Sequence, residues 1–134
     1  MKKRKSAKKK LEIAFRSGCP IATTLDLVGD RWSLVIVRDM VVGKTKFGEF
    51  LASPERVPTN ILTARLQRME RTGLVAKQAY QSNPARYAYR LSEKGMALLP
   101  VLQDMCRWAN AYVPGTWTPP ESFMARRVQP PLRD

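Results

Sequence analysis

PTNILTARLQRMERTGLVAKQAYQSNPARYAYRL, residues 58–91, is the stretch whose reading decides the fold. Thr59 and Asn60 carry short side-chain oxygens suited to capping a helix start. Leu62, Leu66 and Met69 then recur at helical spacing, and Gly73 supplies the stop. On a helical wheel these three share one side, while Asn60, Ala64, Gln67 and Arg71 share the other, flanked by Thr63 and Arg68. After Gly73 the period changes to two. Leu74 to Tyr80 reads as a strand, Gln81 to Pro84 as a turn, and Arg86 to Leu91 as the returning strand. A helix with a small, polar and basic outer face, followed by a basic hairpin, is the arrangement of a winged helix-turn-helix. Such a helix fits a DNA major groove, and the hairpin reaches the neighbouring backbone or minor groove. The expected fold is mainly α with a two-stranded β-wing.

Upstream, positive charge dominates before any core pattern begins: seven of the 24 basic residues fall in the first ten positions. Without them the chain still carries 17 Lys and Arg against 11 Asp and Glu. A basic body argues for a polyanionic partner more strongly than a basic tail does, and nucleic acid ranks ahead of a membrane surface. The lysine run itself reads as a solvated tail or as an arm along the DNA backbone. No apolar run is long enough to span a bilayer, and no signal-peptide core opens the chain, so the expected location is the cytoplasm, with no membrane partner. There are two cysteines, Cys19 and Cys106, and no histidine. That composition leaves no Cys/His zinc site of ordinary ligand count and removes the commonest general base. Neither metal, cofactor nor enzymatic activity is expected.

Leu11, Ala14 and Phe15 suggest a short helix before Gly18. Pro20 suits the first turn of the next helix, whose stripe is Ile21, Leu25 and Val28, ended by Gly29-Asp30. Arg31 to Val42 follows as a helix apolar nearly all round, which places it at the buried centre. A helix from about Phe47 to Ser53, a turn over Ser53 to Pro58, and the Thr59–Arg71 helix complete the helix-turn-helix. Ser92 caps a last helix, with Glu93 at its positive end. That helix, running to about Tyr112, carries two apolar stripes. Leu99, Leu102, Cys106, Ala109 and Val113 form one; Leu98, Val101, Met105, Trp108 and Tyr112 form the other. A small domain needs only one such stripe, so the second is assigned to an interface with an identical chain. Pro100 should kink the helix or leave a carbonyl unpaired near Met96. The expected division is a basic extension over 1–18, the winged domain over 19–113, and a proline-rich tail over 114–134, onto which Trp117 and Phe123 hint at docking.

These pieces go beyond a generic winged helix. Cys19-Pro20, the run Leu25 to Leu34 (LDLVGDRWSL), Val37-Arg38-Asp39, Lys46 to Phe50 (KFGEF), Pro58 to Leu66, Glu70 to Leu74 and Tyr89 to Gly95 (YRLSEKG) together resemble the HxlR family of bacterial transcription regulators. The resemblance covers roughly Cys19 to Tyr112. It implies a homodimer related to the MarR type, paired through its N- and C-terminal helices and binding an inverted-repeat operator; the expected role is that of a repressor. It also implies that Cys19, at the Cys-Pro start, is the candidate for sensing oxidants or electrophiles, although sensing varies among members. Cys106 and both extensions lie outside the family pattern.

The expected DNA contacts are Thr59, Asn60, Thr63, Gln67, Arg68 and Arg71 on the helix, with Lys46, Lys77 and Arg86 on backbone. Asn60 and Gln67 suit adenine edges, Thr63 a thymine methyl, and Arg68 guanine or phosphate. Arg65, nearer the core side of the wheel, is open between phosphate contact and an internal salt bridge. Lys44 is a further phosphate candidate, and strand alternation leaves Arg90 open to face away from Lys77. Cys19 is open between packing and sensing, since a helix start is where a thiol gains reactivity; Cys106 reads as core. Trp32, Phe47, Phe50, Trp108 and Tyr112 read as core or dimer contact, with a small-molecule effector pocket between dimer helices and DNA-binding lobe as the other use of such residues. The competing reading is a winged helix that binds protein rather than a specific DNA sequence.

Overall fold

The computed structural model describes residues 13–128. The lysine run and Leu11 lie outside them. Residues 13–18 are not helical, a departure from the expected first helix; an element so short has too few internal hydrogen bonds to offset nucleation. Instead Arg16 folds back onto the next helix, its Nε donating to Asp26 at 2.7 Å and its Nη2 to the Ala22 carbonyl at 3.3 Å.

Helix α1 (Pro20–Val28) starts on Pro20 as expected. Its apolar stripe is split, because Val28 is in the core whereas Ile21 and Leu25 are 71% and 54% exposed. Helix α2 (Ser33–Val41) is the buried centre, with Ile36, Val37, Met40 and Val41 enclosed. Around it pack α3 (Phe47–Leu51) through Phe50, α4 (Thr59–Arg71) through Leu62, Leu66 and Met69, and α6 (Leu99–Tyr112) through Leu99 and Leu102. Strands β1 (Val75–Ser82) and β2 (Ala85–Leu91) pair antiparallel, from Val75 opposite Leu91 to Ser82 opposite Ala85, with a bulge between Ala79 and Gln81. Only the base of this hairpin enters the core, through Leu74, Val75 and Ala88.

Thr59 and Asn60 do not cap α4 through their side chains. Pro58 occupies the cap position in extended conformation, and the two polar residues fall in the first turn. The entry is fixed by apolar anchoring instead, since Val57 before the cap and Leu62 in the next turn belong to one core cluster.

The last helix divides in two. Short α5 (Glu93–Met96) is capped by Ser92, whose Oγ accepts from the Gly95 amide at 3.1 Å. A Cβ on Gly95 would collide with the Leu74 carbonyl oxygen, so this turn packs as closely as only glycine permits. The break before α6 resolves the Pro100 problem: the proline sits in the first turn of α6, where no partner for its missing N–H is needed.

Beyond Val113 the chain is not wholly irregular. Helix α7 (Glu121–Ala125) packs on the body, and Phe123 is buried in the same core as α2. Buried Gln103 on α6 donates its amide to the carbonyls of Phe123, Met124 and Arg126 at 3.0, 3.3 and 2.8 Å. Arg126 in turn donates to the Val41 carbonyl at 3.0 Å. Trp117, the other residue expected to dock, stays 76% exposed. Replacing Phe123 with Ala should lower unfolding free energy by about 3 kcal/mol, the cost of a cavity where a ring filled the core. Chemical denaturation checks this, and a loss below about 1 kcal/mol would place the segment outside the core.

Candidate nucleic-acid interface

The outward face of α4 is available. Thr59, Asn60, Thr63, Ala64, Gln67 and Arg71 are all exposed. Among the described residues, no intramolecular hydrogen bond engages the side chains of Asn60, Gln67 or Arg71, so their donors and acceptors are free for an incoming ligand. Thr63 donates its hydroxyl to the Thr59 carbonyl at 3.0 Å, which leaves its methyl as the group it presents.

The other two arginines of the helix are occupied. Arg65 Nε donates to Asp30 at 2.8 Å, choosing the salt bridge of the two roles left open for it. Arg68 Nη2 donates to the Asp26 carbonyl at 2.7 Å, so in this structure it braces α4 against α1. Both lie on the flank of the helix that leans on the α1–α2 corner, where a long side chain gains more from a fixed partner than from water.

Asp30 organises that corner. Its carboxylate accepts from the backbone amides of Trp32 and Ser33, each at 3.0 Å, and from the Ser33 hydroxyl as well as Arg65. Burial works against its ionised form, but the bonds from Ser33, Trp32 and Arg65 outweigh it and hold the carboxyl below its ordinary range. The spacing Asp30 to Ser33 before an apolar run is a helix-start signal that the sequence itself carries.

A second network fixes the turn between α3 and α4. Buried Asp39 accepts from Ser53 Oγ and from Arg38, whose Nη2 lies at 2.8 Å. Arg38 also clasps Glu55 with two bonds of 2.8 Å, and this pairing holds Glu55 below and Arg38 above their ordinary values. Lys44 is drawn into the same cluster, donating to Ser53 Oγ at 2.8 Å. Arg56, at φ 59°, turns the chain back toward Pro58.

Beside α4 stands the wing. Thr45 accepts from the Tyr89 amide at 2.8 Å and Lys46 bridges to Ala88, so the segment before α3 is tied to the edge of β2. Glu49 holds that segment, accepting from the amides of Thr45 and Lys46 at 2.8 and 3.0 Å. The ammonium groups of Lys46 and Lys77 rest over the rings of Tyr80 and Tyr87, at 4.6 and 4.5 Å from the centroids. Arg86 is exposed opposite Gln81. Arg90 pairs with Ala76, one position from Lys77, and therefore lies on the other face of the hairpin. The tyrosines that seat the two lysines were not singled out from sequence; cross-strand proximity made them partners.

Cys19 stands exposed at the cap of α1, its amide donating to Ser17 Oγ at 3.1 Å. Arg16, three residues before it, is committed to Asp26. Cys106 is half-buried on α6. Of the second α6 stripe, Leu98 packs partly into the core, while Val101, Met105, Trp108 and Tyr112 are exposed. No described helix is long and apolar enough to cross a membrane.

A buried-core helix-turn-helix with a free polar helix face and a basic hairpin at its side defines a winged helix-turn-helix transcriptional regulator, a DNA-binding class. Residues 27–116 match the HxlR-like helix-turn-helix family, and the chain belongs to that family. It is 33% identical over 108 residues to YdeP, an HTH-type transcriptional regulator of Bacillus subtilis, covering 78% of this chain and 84% of that one. Among solved structures it resembles the redox regulator HypR in its reduced form, with TM-score 0.64 and 30% identity over 69% of this chain and 92% of that one. The reduced form of the regulator YodB from B. subtilis is similar at TM-score 0.61 and 28% identity, over 75% of this chain and all (100%) of that one.

Because the folded-state carboxyl of Asp30 is depressed, its contribution to stability is complete above the ordinary aspartate range, near pH 4, and disappears as pH falls through the depressed value. Asp30→Asn should therefore flatten the decline of the urea midpoint below about pH 4. An acid limb identical to that of the parent chain would mean Asp30 carries no such linkage.

Proposed function

We propose that this chain acts as a homodimer that binds an inverted-repeat operator in double-stranded DNA and represses transcription by occupying it. The observation that carries the reading is the division of α4: its apolar face and two arginines are consumed internally, while Asn60, Thr63, Gln67 and Arg71 stand free beside a basic wing. Asn60 and Gln67 present paired donors and acceptors matched to adenine, Thr63 a methyl matched to thymine, and Arg71 a fork for guanine or phosphate. Thr59 at the helix N-terminus, with Lys46, Lys77 and Arg86, holds phosphates and sets register. Arg65 and Arg68 act at one remove, by orienting the helix.

Exposed Val101, Met105, Trp108 and Tyr112 on α6, together with Ile21 and Leu25 on α1, supply the apolar surface a second copy would cover. Pairing there sets the separation of the two α4 helices, which operator half-sites must match. Cys19 lies at the start of the same α1, so oxidation or alkylation of its exposed thiol alters that pairing and weakens DNA binding. HypR, a redox regulator, is similar in fold, which supports this part of the reading.

Selection of bound fragments from random duplex DNA tests the proposal. Asn60→Ala and Gln67→Ala should each relax preference at one position by about 1–3 kcal/mol, and Lys77→Ala should weaken all sequences alike while lowering the salt slope by about 1. Binding that is insensitive to salt, with no sequence enriched, would favour a protein-interaction module instead. For Cys19→Ser, treatment with diamide should leave operator binding intact where it releases the parent chain. Equal release of both would make Cys19 a packing residue.

A further inference from the structure

The segment after residue 116 lies past the end of the family match and packs back on the body. Trp117, Pro119 and Pro120 form one wall of a cleft of about 850 Å³. Val35 of α2 and Cys106 and Ala109 of α6 lie in the wall facing them. The wall is held in place: Phe123 is sunk in the core, Gln103 grips three carbonyls behind it, and Arg126 ties it to the end of α2.

The charges at the rim are already matched. Arg38 is closed onto Asp39 and Glu55, and the Lys44 ammonium lies 3.9 Å from the Asp39 carboxylate while donating to Ser53, so each cation has a carboxylate beside it. The remaining surface is mostly apolar and includes an indole and two proline rings; among its polar side chains, Asn110 is already spent on Thr116 Oγ1 and the Trp117 carbonyl. The volume is that of a pocket for one small molecule, and the cleft meets the exposed stripe that suits a second copy at Met105, leaving Trp108 and Tyr112 outside it. We propose that this cleft binds one uncharged, ring-containing apolar molecule, stacked against the proline strap and seated between α2 and α6. Its occupant touches both the helix that anchors the Asp39 network of the helix-turn-helix and the helix that carries the dimer stripe. Resting on the regulator reading above, the cleft is where such a molecule biases DNA affinity.

N-phenyl-1-naphthylamine, an uncharged aromatic amine that fluoresces in apolar surroundings, is a suitable probe for the full chain. Saturable binding of one probe per chain is expected, with slower reaction of Cys106 toward a thiol reagent in a Cys19→Ser background. Ala109→Trp and Val35→Phe, one from each helix of the groove, should each weaken the probe by at least about tenfold, provided thermal unfolding shows the variant folded. No saturable binding, or binding that leaves Cys106 reactivity unchanged, would overturn the assignment. Protection of Cys106 by raised protein concentration alone would give the cleft to a second copy and equally overturn it. Affinity for a selected duplex, measured with and without saturating probe, separates the two readings. Intact duplex binding without probe binding refutes only the cleft. Probe binding without any duplex binding refutes the regulator reading, and unchanged duplex affinity at saturation refutes the regulatory half of the inference.

Discussion

One carboxylate sets the posture of the DNA-binding face. Asp30 accepts from two amides at the start of α2 and from Arg65 of α4, so the central helix and the exposed helix are oriented by the same group. Burial of Leu62, Leu66 and Met69 fixes how deep α4 sits, but an apolar stripe tolerates small rotations about the helix axis. The directed bonds of Arg65 to Asp30 and Arg68 to the Asp26 carbonyl remove that freedom. What remains outward is then a fixed row of side chains, as groove recognition requires.

The same economy governs the turn ahead of α4. Asp39 is buried, and a buried carboxylate is tolerated only when its oxygens are matched. Ser53, Arg38 and Lys44 supply the match, and in doing so they pin the α3–α4 turn to the centre of the domain. Internal bonding thus sorts the basic residues into two populations. Lys44, Arg38, Arg65 and Arg68 hold the scaffold, whereas Lys46, Lys77, Arg71 and Arg86 face solvent with their charges available.

Elsewhere the domain exposes apolar faces. Helix α6 buries Leu99 and Leu102 while exposing Trp108 and Tyr112, whose rings lie 5.8 Å apart, and α1 exposes Ile21 and Leu25. These faces cost free energy in water, and an identical partner offers the simplest way to cover them. The C-terminal segment beyond the family's span closes a different gap, carrying Phe123 into the core and walling the cleft over α2 and α6.

The alternation of periods over residues 58–91, the all-apolar run around Ile36 and the doubled stripe after Leu98 were enough to read a winged helix, its buried centre and its exposed helix face. These are properties of local spacing, and spacing is visible in the chain before it folds. The family resemblance was legible in the same way, from the order of short motifs. Which arginines of α4 bond to the scaffold was not, because Arg65 and Arg68 meet Asp30 and the Asp26 carbonyl across more than thirty residues of chain. The same holds for the capture of Lys44, the seating of Lys46 and Lys77 on wing tyrosines, and the latch of Gln103 on the final helix. Hydrophobic period declares which face of an element turns inward; only the packed chain decides which long polar side chains find a partner there and which are left for a ligand.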